Sequence, residues 1–270
     1  MADPVLLIRA EGPVLHAVMN RPDRLNALSA DLVTALRDFF AGLYWRHEVR
    51  VVTLAGAGRA FSAGLDLKAR PEAGHEASVA DALVAQRRIS EIVIAMRRCP
   101  QPIVALVDGP AAGGGFALAL ASDIRIITPR TRMNAAFIRI GLSACDIGVS
   151  YFLPRMVGQS VAADYMLTGR FMGPEEAVRH GLARAMVAPE QIEAAGDEVV
   201  GELLRATPLG LRLTKEALNH AVDMSSLEAV VAMEDRNQIL ASRGPDFEEG
   251  IRAFLEKRPP RYGEGKRPAN

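Results

Sequence analysis

The segment Arg59-Ala60-Phe61-Ser62-Ala63-Gly64-Leu65-Asp66-Leu67-Lys68 follows an apolar, strand-like run, Val51-Val52-Thr53-Leu54-Ala55. A second small-residue turn, Gly113-Gly114-Gly115, follows another such run, Ile103-Val104-Ala105-Leu106-Val107, and opens an Ala/Leu-rich helical stretch. Two such turns can each aim a backbone N–H at one point. Converging N–H groups form an oxyanion hole, which holds the developing negative oxygen of an enolate or a tetrahedral intermediate. The triple glycine also places its amides at the positive end of a helix dipole. A nucleotide P-loop does not fit, because no Gly-Lys-Ser/Thr follows. A dinucleotide fingerprint does not fit either, because Leu118 stands where its third glycine would be.

Working outward, residues 4–10 and 13–19 read as paired strands joined at Glu11-Gly12. Ser29 is a good N-cap for a helix with an apolar face of Leu32, Leu36, Phe39, Phe40 and Leu43. A strand follows at 50–55. Ser78-x-x-Asp81 is a capping box for a helix running to about Arg98, stopped by Cys99-Pro100. Residues 69–78, polar and Gly/Pro-containing, read as a mobile loop. Strand 103–107, helix 113–121 and strand 124–127 continue the alternation, which predicts an α/β domain with mainly parallel pairing. Beyond residue 159 strands nearly vanish, and helices are expected at 160–168, 174–180, 190–206, 208–221, 226–241 and 245–257. The division is then a core over 1–190, a helical region over 191–258 and a loose tail over 259–270.

With 270 residues and 49% hydrophobic content the chain can bury a large core. Formal net charge is zero, so neither nucleic acid nor an anionic membrane surface is an expected partner. Cys99 and Cys145 make no disulfide framework, which points to a reducing cytosol and a cytoplasmic location. Val5-Leu6-Leu7-Ile8 is too short for a signal peptide, and no apolar run reaches membrane-spanning length. The five histidines are scattered and show no metal-ligand spacing.

Further segments carry a family resemblance: Asn20-Arg21-Pro22 with Asn26-Ala27-Leu28, Gly56 to Lys68, Asp108-Gly109-Pro110-Ala111-Ala112-Gly113-Gly114-Gly115, Ala121-Ser122-Asp123, Leu167-Thr168-Gly169-Arg170, and Glu249 to Arg258. In that order they make the chain resemble the crotonase superfamily, the enoyl-CoA hydratase/isomerase family, over almost its whole length. The resemblance implies a spiral of ββα units with a C-terminal helical region for trimerisation, and a trimer or dimer of trimers. It implies an acyl-CoA or enoyl-CoA thioester as substrate, with no cofactor beyond the coenzyme A of that substrate. By the family pattern Ala63 and Gly114 carry the oxyanion-hole N–H groups. Backbone around Leu25, Ala27, Asp66 and Leu67 would line the adenine and pantetheine track, and Lys257 would reach a CoA phosphate from a neighbouring subunit.

The chain departs from the pattern at the acids. Family hydratases set two glutamates around a water. Here Ala117 stands at the first position and Phe137 at the second, and neither side chain can move a proton. One acid remains: Gly141-Leu142-Ser143-Ala144-Cys145-Asp146-Ile147-Gly148 resembles a stretch of dienoyl-CoA isomerases whose aspartate shuttles a proton. The local alternative is that Asp146 caps the helix that begins near Gly148. Cys145 reads as a buried, inert thiol. Two functions follow: enolate chemistry on an enoyl-CoA, by isomerisation or hydration, with Asp146 transferring the proton; or a non-catalytic acyl-CoA-binding member that has lost both glutamates.

Overall fold

A computed structural model describes residues 3–69 and 78–263. The N-terminal hairpin pairs β1 (Leu6–Glu11) antiparallel with β2 (Val14–Met19). Then α1 (Ala30–Gly42), β3 (Val51–Gly56), α2 (Val79–Arg98), β4 (Ile103–Val107), β5 (Pro110–Ala112), α3 (Gly114–Ala121), β6 (Ile124–Ile127) and β7 (Arg132–Asn134) follow. Next come α4 (Val149–Val157), α5 (Gln159–Thr168), α6 (Pro174–Arg179), β8 (Ala185–Met186), α7 (Ile192–Leu204), α8 (Pro208–Ala221), α9 (Leu227–Ser242) and α10 (Pro245–Leu255). The main sheet has the order β1-β2-β3-β4-β6-β8 and is parallel from β2 onward, while β5 and β7 form a separate parallel pair. This is the mixed α/β architecture that the strand–helix alternation predicts.

Period-2 alternation divides the sheet between two cores. In β4, Ile103, Ala105 and Val107 face one cluster with α1 to α4, while Val104 and Leu106 face the other. The first core is held by helices with legible starts. The Ser29 hydroxyl accepts the Leu32 N–H at 3.3 Å, and α1 buries Leu32, Val33, Leu36 and Phe40, each worth about 1.5–3 kcal/mol. The Ser78 hydroxyl caps α2 through the Asp81 N–H at 3.1 Å. Only the C-terminal half of α2 is buried, at Ile92, Val93, Ala95 and Met96. Its N-terminal half overhangs the loops described below.

The second core is closed by Ile192, Val199 and Val200 of α7 against Val14, Val51, Val104 and Ile126. The boundary expected at residue 190 therefore precedes a helix that completes the sheet, and the helices outside this second core begin at α8. One buried lysine ties α8 to the core: Lys215 Nζ donates to Gln101 O at 2.8 Å and Met96 O at 3.1 Å and pairs with Asp123 at 2.8 Å. Beyond it α9 and α10 leave large side chains uncovered, Leu227 at 77% and Phe254 at 83% exposure. The expected loose tail starts instead with tethered backbone, since the Arg261 N–H donates to Glu249 and the Gly263 N–H to Asp246, both at 2.9 Å. Residues 264–270 and most of the loop expected at 69–78 lie outside the described residues. Among the described residues no helix is long and apolar enough to cross a membrane.

Candidate active site

The site is assembled from backbone before any side chain enters. Residues 62–66 form a strip held on both edges. On one edge the Leu28 N–H donates to Gly64 O at 2.7 Å and the Asp66 N–H to Leu28 O at 3.2 Å, which makes a parallel bridge between Leu28 and Leu65. On the other the Ser62 N–H donates to Pro110 O at 3.1 Å and the Ala112 N–H to Ser62 O at 2.9 Å. The strip's inner partner, residues 25–28, turns through left-handed backbone at Leu25 (φ 51°) and Asn26 (φ 53°). Asn suits that conformation. Its fully buried amide accepts the Arg21 N–H at 2.8 Å and donates to Ala57 O at 2.9 Å and Ala60 O at 2.7 Å. The Asn-Arg-Pro and Asn-Ala-Leu words of the sequence are thus one clamp.

Arg21 closes the clamp across the strip. Its guanidinium donates to Asp66 at 2.9 Å and also to Ala27 O. That hydrogen bond holds the Asp66 carboxyl below the usual carboxylate range. Asp66 is therefore a tie between the two loops. Leu25, Ala27, Ala63, Asp66 and Leu67 lie on or next to these clamped loops, and Gly114 abuts them at Gly64. Lys257 lies beyond α10, where its exposed side chain has no hydrogen bond to these loops.

The glycines are needed where the loops meet. Gly64 has φ 85°, and a Cβ there would stand 2.5 Å from Ala112 O and 3.1 Å from the Gly114 nitrogen. A Cβ on Gly114 would meet Leu28 Cδ1 at 2.7 Å and Gly64 Cα at 3.8 Å. The two loops are therefore packed backbone to backbone. At this junction one expectation is corrected. The Ala63 N–H donates to Leu25 O at 2.9 Å, so it is spent inside the scaffold. The donor two residues on, at Leu65, is directed away from its bridge partner Leu28 and has no hydrogen-bond partner among the described residues. The Gly114 N–H, in the first turn of α3, has none either.

Asp146 approaches from the loop before α4. Ile147 sits at φ 47°, an outlier for a β-branched residue, and its Cδ1 would be 3.5 Å from a Cβ on Gly114. The carboxylate one residue earlier is half-buried. Its Oδ1 accepts the Ile147 N–H at 2.8 Å and the Gln86 side-chain amide at 2.6 Å. Burial raises the Asp146 pKa above its ordinary value, against the opposing pull of those two donors. The helix-cap alternative does not hold: the N-cap of α4 is Gly148, and the Val149 N–H goes to the Asp146 main-chain oxygen at 2.9 Å. Phe137 is buried beside the glycine loop, 3.4 Å from a Cβ on Gly113, and Ala117 is fully buried in α3. Cys145, expected to be buried, is exposed, whereas Cys99 is buried.

Sequence reasoning missed two groups. Leu65 was hidden by the family word around it, and its free donor follows only from the bridge register. Gln86 is one polar residue on a helix with many, and nothing in its spacing points to a residue sixty positions away. A cavity of about 850 Å³ opens one turn further along α2, lined among others by Ser90, Val93, Gly148, Tyr151, Phe152 and Asn219.

Such paired glycine loops on a parallel α/β sheet with trailing helices define a protein of the crotonase superfamily. The model of the family described as enoyl-CoA hydratase/isomerase matches residues 9–266, and the chain belongs to that family. It is 37% identical over 263 residues to a Mycobacterium bovis protein named "Probable enoyl-CoA hydratase echA12", covering 95% of this chain and 92% of that one. It is 31% identical to the 1,2-epoxyphenylacetyl-CoA isomerase of Escherichia coli K12, covering 95% of this chain and 97% of the relative. Among solved structures, an enoyl-CoA hydratase from Bacillus anthracis superposes with a TM-score of 0.89 at 30% identity, covering 96% of this chain and 98% of that one.

Proposed function

We propose that this protein is an acyl-CoA enzyme that stabilises a thioester enolate with the Leu65 and Gly114 N–H groups and moves a proton with Asp146. The observation that carries this reading is the junction itself: two unpartnered backbone donors on abutting loops, with a carboxylate next to the residue that packs on one of them. A thioester carbonyl oxygen set between the donors is polarised, which acidifies the α-carbon. Asp146 then takes the α-proton, and the C–H electron pair becomes the enolate. Returning the proton to a more distant carbon shifts a double bond and needs one acid–base group. Water addition by the two-carboxylate route needs two, and Ala117 and Phe137 supply neither. We therefore favour isomerisation over hydration.

The remaining assignments belong to the same reading. CoA would lie along Leu25, Ala27, Asp66 and Leu67 with no separate cofactor, in a cytoplasmic enzyme. The uncovered apolar side chains of α9 and α10 would be buried in a trimer or dimer of trimers, where Lys257 would reach the CoA of a neighbouring subunit. The acyl group has room in the cavity beyond Ser90 and Gly148. The rival is an acyl-CoA-binding protein without turnover, favoured by the two missing glutamates.

Two measurements separate these. Calorimetry with acetoacetyl-CoA reads binding alone, and conversion of vinylacetyl-CoA to crotonyl-CoA reads proton transfer. Binding with turnover is expected, together with hydration of crotonyl-CoA lower by about 10²-fold or more per missing acid–base group. Binding without turnover of any of a panel of enoyl-CoA thioesters supports the rival. No binding at millimolar thioester refutes both.

A further inference from the structure

We propose that Gln86 is a positioning residue that holds the carboxylate of Asp146 so that Oδ2 alone faces the substrate; this rests on the reading of Asp146 as the proton carrier. Gln86 lies in the overhanging, exposed half of α2, before the helix becomes buried at Ile92. An exposed glutamine gains little from being held in one rotamer. This one nevertheless spans to a loop sixty residues away and places Nε2 2.6 Å from Asp146 Oδ1. The Ile147 N–H falls on the same oxygen at 2.8 Å. Both donors thus occupy Oδ1, and Oδ2 receives no hydrogen bond among the described residues. The carboxylate cannot rotate to exchange its oxygens without breaking both bonds.

That asymmetry suits a proton shuttle. Oδ2 is the basic oxygen left to form an O–H bond as the substrate α-C–H bond breaks and its electron pair enters the enolate. It then gives the same proton to the γ-carbon and regains its charge, so no water or co-reactant is consumed. Oδ1 stays fixed through both halves, so the acceptor and the donor are the same atom in the same place. Among the described residues no charged side chain contributes to the Asp146 shift. The acting groups are burial, the Ile147 N–H of its own loop and the Gln86 amide of α2, and the neighbouring ionisable group, Cys145, is exposed.

The test uses Gln86→Leu, which removes the donor, and Gln86→Glu, which keeps the length but sets a second carboxylate against the first. The direct readout is the ¹³C titration of the Asp146 carboxyl, assigned by its absence in Asp146→Asn. A hydrogen bond to a charged group is worth enough to move a titration by about one to two pH units. Its loss removes a donor that favours the ionised form, so the expected shift is upward in Gln86→Leu and larger in Gln86→Glu. The acid limb of vinylacetyl-CoA turnover should move the same way, with kcat lower by about tenfold at neutral pH and KM nearly unchanged. Gln86 is exposed, so both variants should fold, and the near-isosteric Gln86→Glu carries the test by itself if Gln86→Leu does not. An unmoved Asp146 titration in a folded variant overturns the inference. If Asp146→Asn abolishes turnover while the Gln86 variants titrate like the wild type, only the positioning role falls. If Asp146→Asn turns over normally, the proton-transfer reading falls first and this one with it.

Discussion

Replacing Asp146 with asparagine separates the chemistry of the carboxylate from its place in the structure. Asparagine keeps Oδ1 as an acceptor for both the Ile147 N–H and the Gln86 amide. The turn bond from the Val149 N–H to the Asp146 carbonyl is main chain and survives unchanged. Only the charge and the basic Oδ2 are lost. The stability sign follows from the raised pKa, which burial causes. A carboxyl held above its ordinary value binds its proton more tightly in the folded chain than in the unfolded one. The ionised group therefore costs stability at neutral pH, and the cost declines once pH falls below the folded-state value and is gone below the ordinary one. Asp146→Asn removes that cost, so its melting temperature should equal or slightly exceed that of the wild type.

Catalysis moves the other way. A lost general base typically costs about 10²–10⁴-fold in rate. Conversion of vinylacetyl-CoA to crotonyl-CoA, and exchange of thioester α-protons in deuterated buffer, should both fall by at least about 10²-fold, while acetoacetyl-CoA binding holds. In the wild-type enzyme the acid limb of kcat/KM should lie above the ordinary aspartate value of about 3.9, because the acting base has a raised pKa. Undiminished turnover by a well-folded Asp146→Asn protein would refute the assignment.

Two further perturbations probe the scaffold around that carboxylate. Gly64→Ala forces a side chain into left-handed backbone 2.5 Å from Ala112 O and 3.1 Å from the Gly114 nitrogen. It should cost about 1–3 kcal/mol in stability, and about 10²–10³-fold in kcat if it displaces one donor; wild-type kcat would show that the loop junction does not set the donors. Asn26→Ala removes a buried amide with three hydrogen bonds and orphans Ala57 O, Ala60 O and the Arg21 N–H. A loss of about 3 kcal/mol or more is expected by denaturant titration, and a loss under about 1 kcal/mol would mean that water replaces the clamp.

The fold was legible because its signals are local. Ser29 and Ser78 announce α1 and α2 by their capping pattern, and the alternation in Ile103-Val104-Ala105-Leu106-Val107 matches the two cores it faces. What escaped was set by tertiary context. The three-residue strands Pro110–Ala112 and Arg132–Asn134 are held by tertiary pairing, with each other and with Ser62 and Met172, and neither carries a strand-like pattern by itself. The role of α7 escaped for a similar reason. Its sequence reads as one more C-terminal helix, and only the position of the sheet's second face shows that Ile192, Val199 and Val200 belong to the core.

The site was legible in its words and not in its atoms. Gly64 and Gly114 mark where two backbones must touch, because only glycine tolerates that approach. Which N–H remains available there depends on register, and register is a property of pairing. Within residues 62–66 the Ala63 donor faces residues 25–28 and is consumed, while the left-handed Gly64 (φ 85°) breaks the strand alternation, so that the Asp66 donor faces Leu28 and the Leu65 donor between them faces away. A shift of two residues therefore moves the proposed donor without changing one letter of the motif. The acid follows the same rule from the other side. Asp146 stands in a short loop that reads equally well as a helix start, and the decision between cap and base lies in Gly148 taking the N-cap and in Gln86 arriving from α2. Backbone donors tolerate almost any side chain at their own positions, so the residues that reveal this site are their packed neighbours: Gly64 and Gly114, the buried Asn26 and the left-handed Ile147.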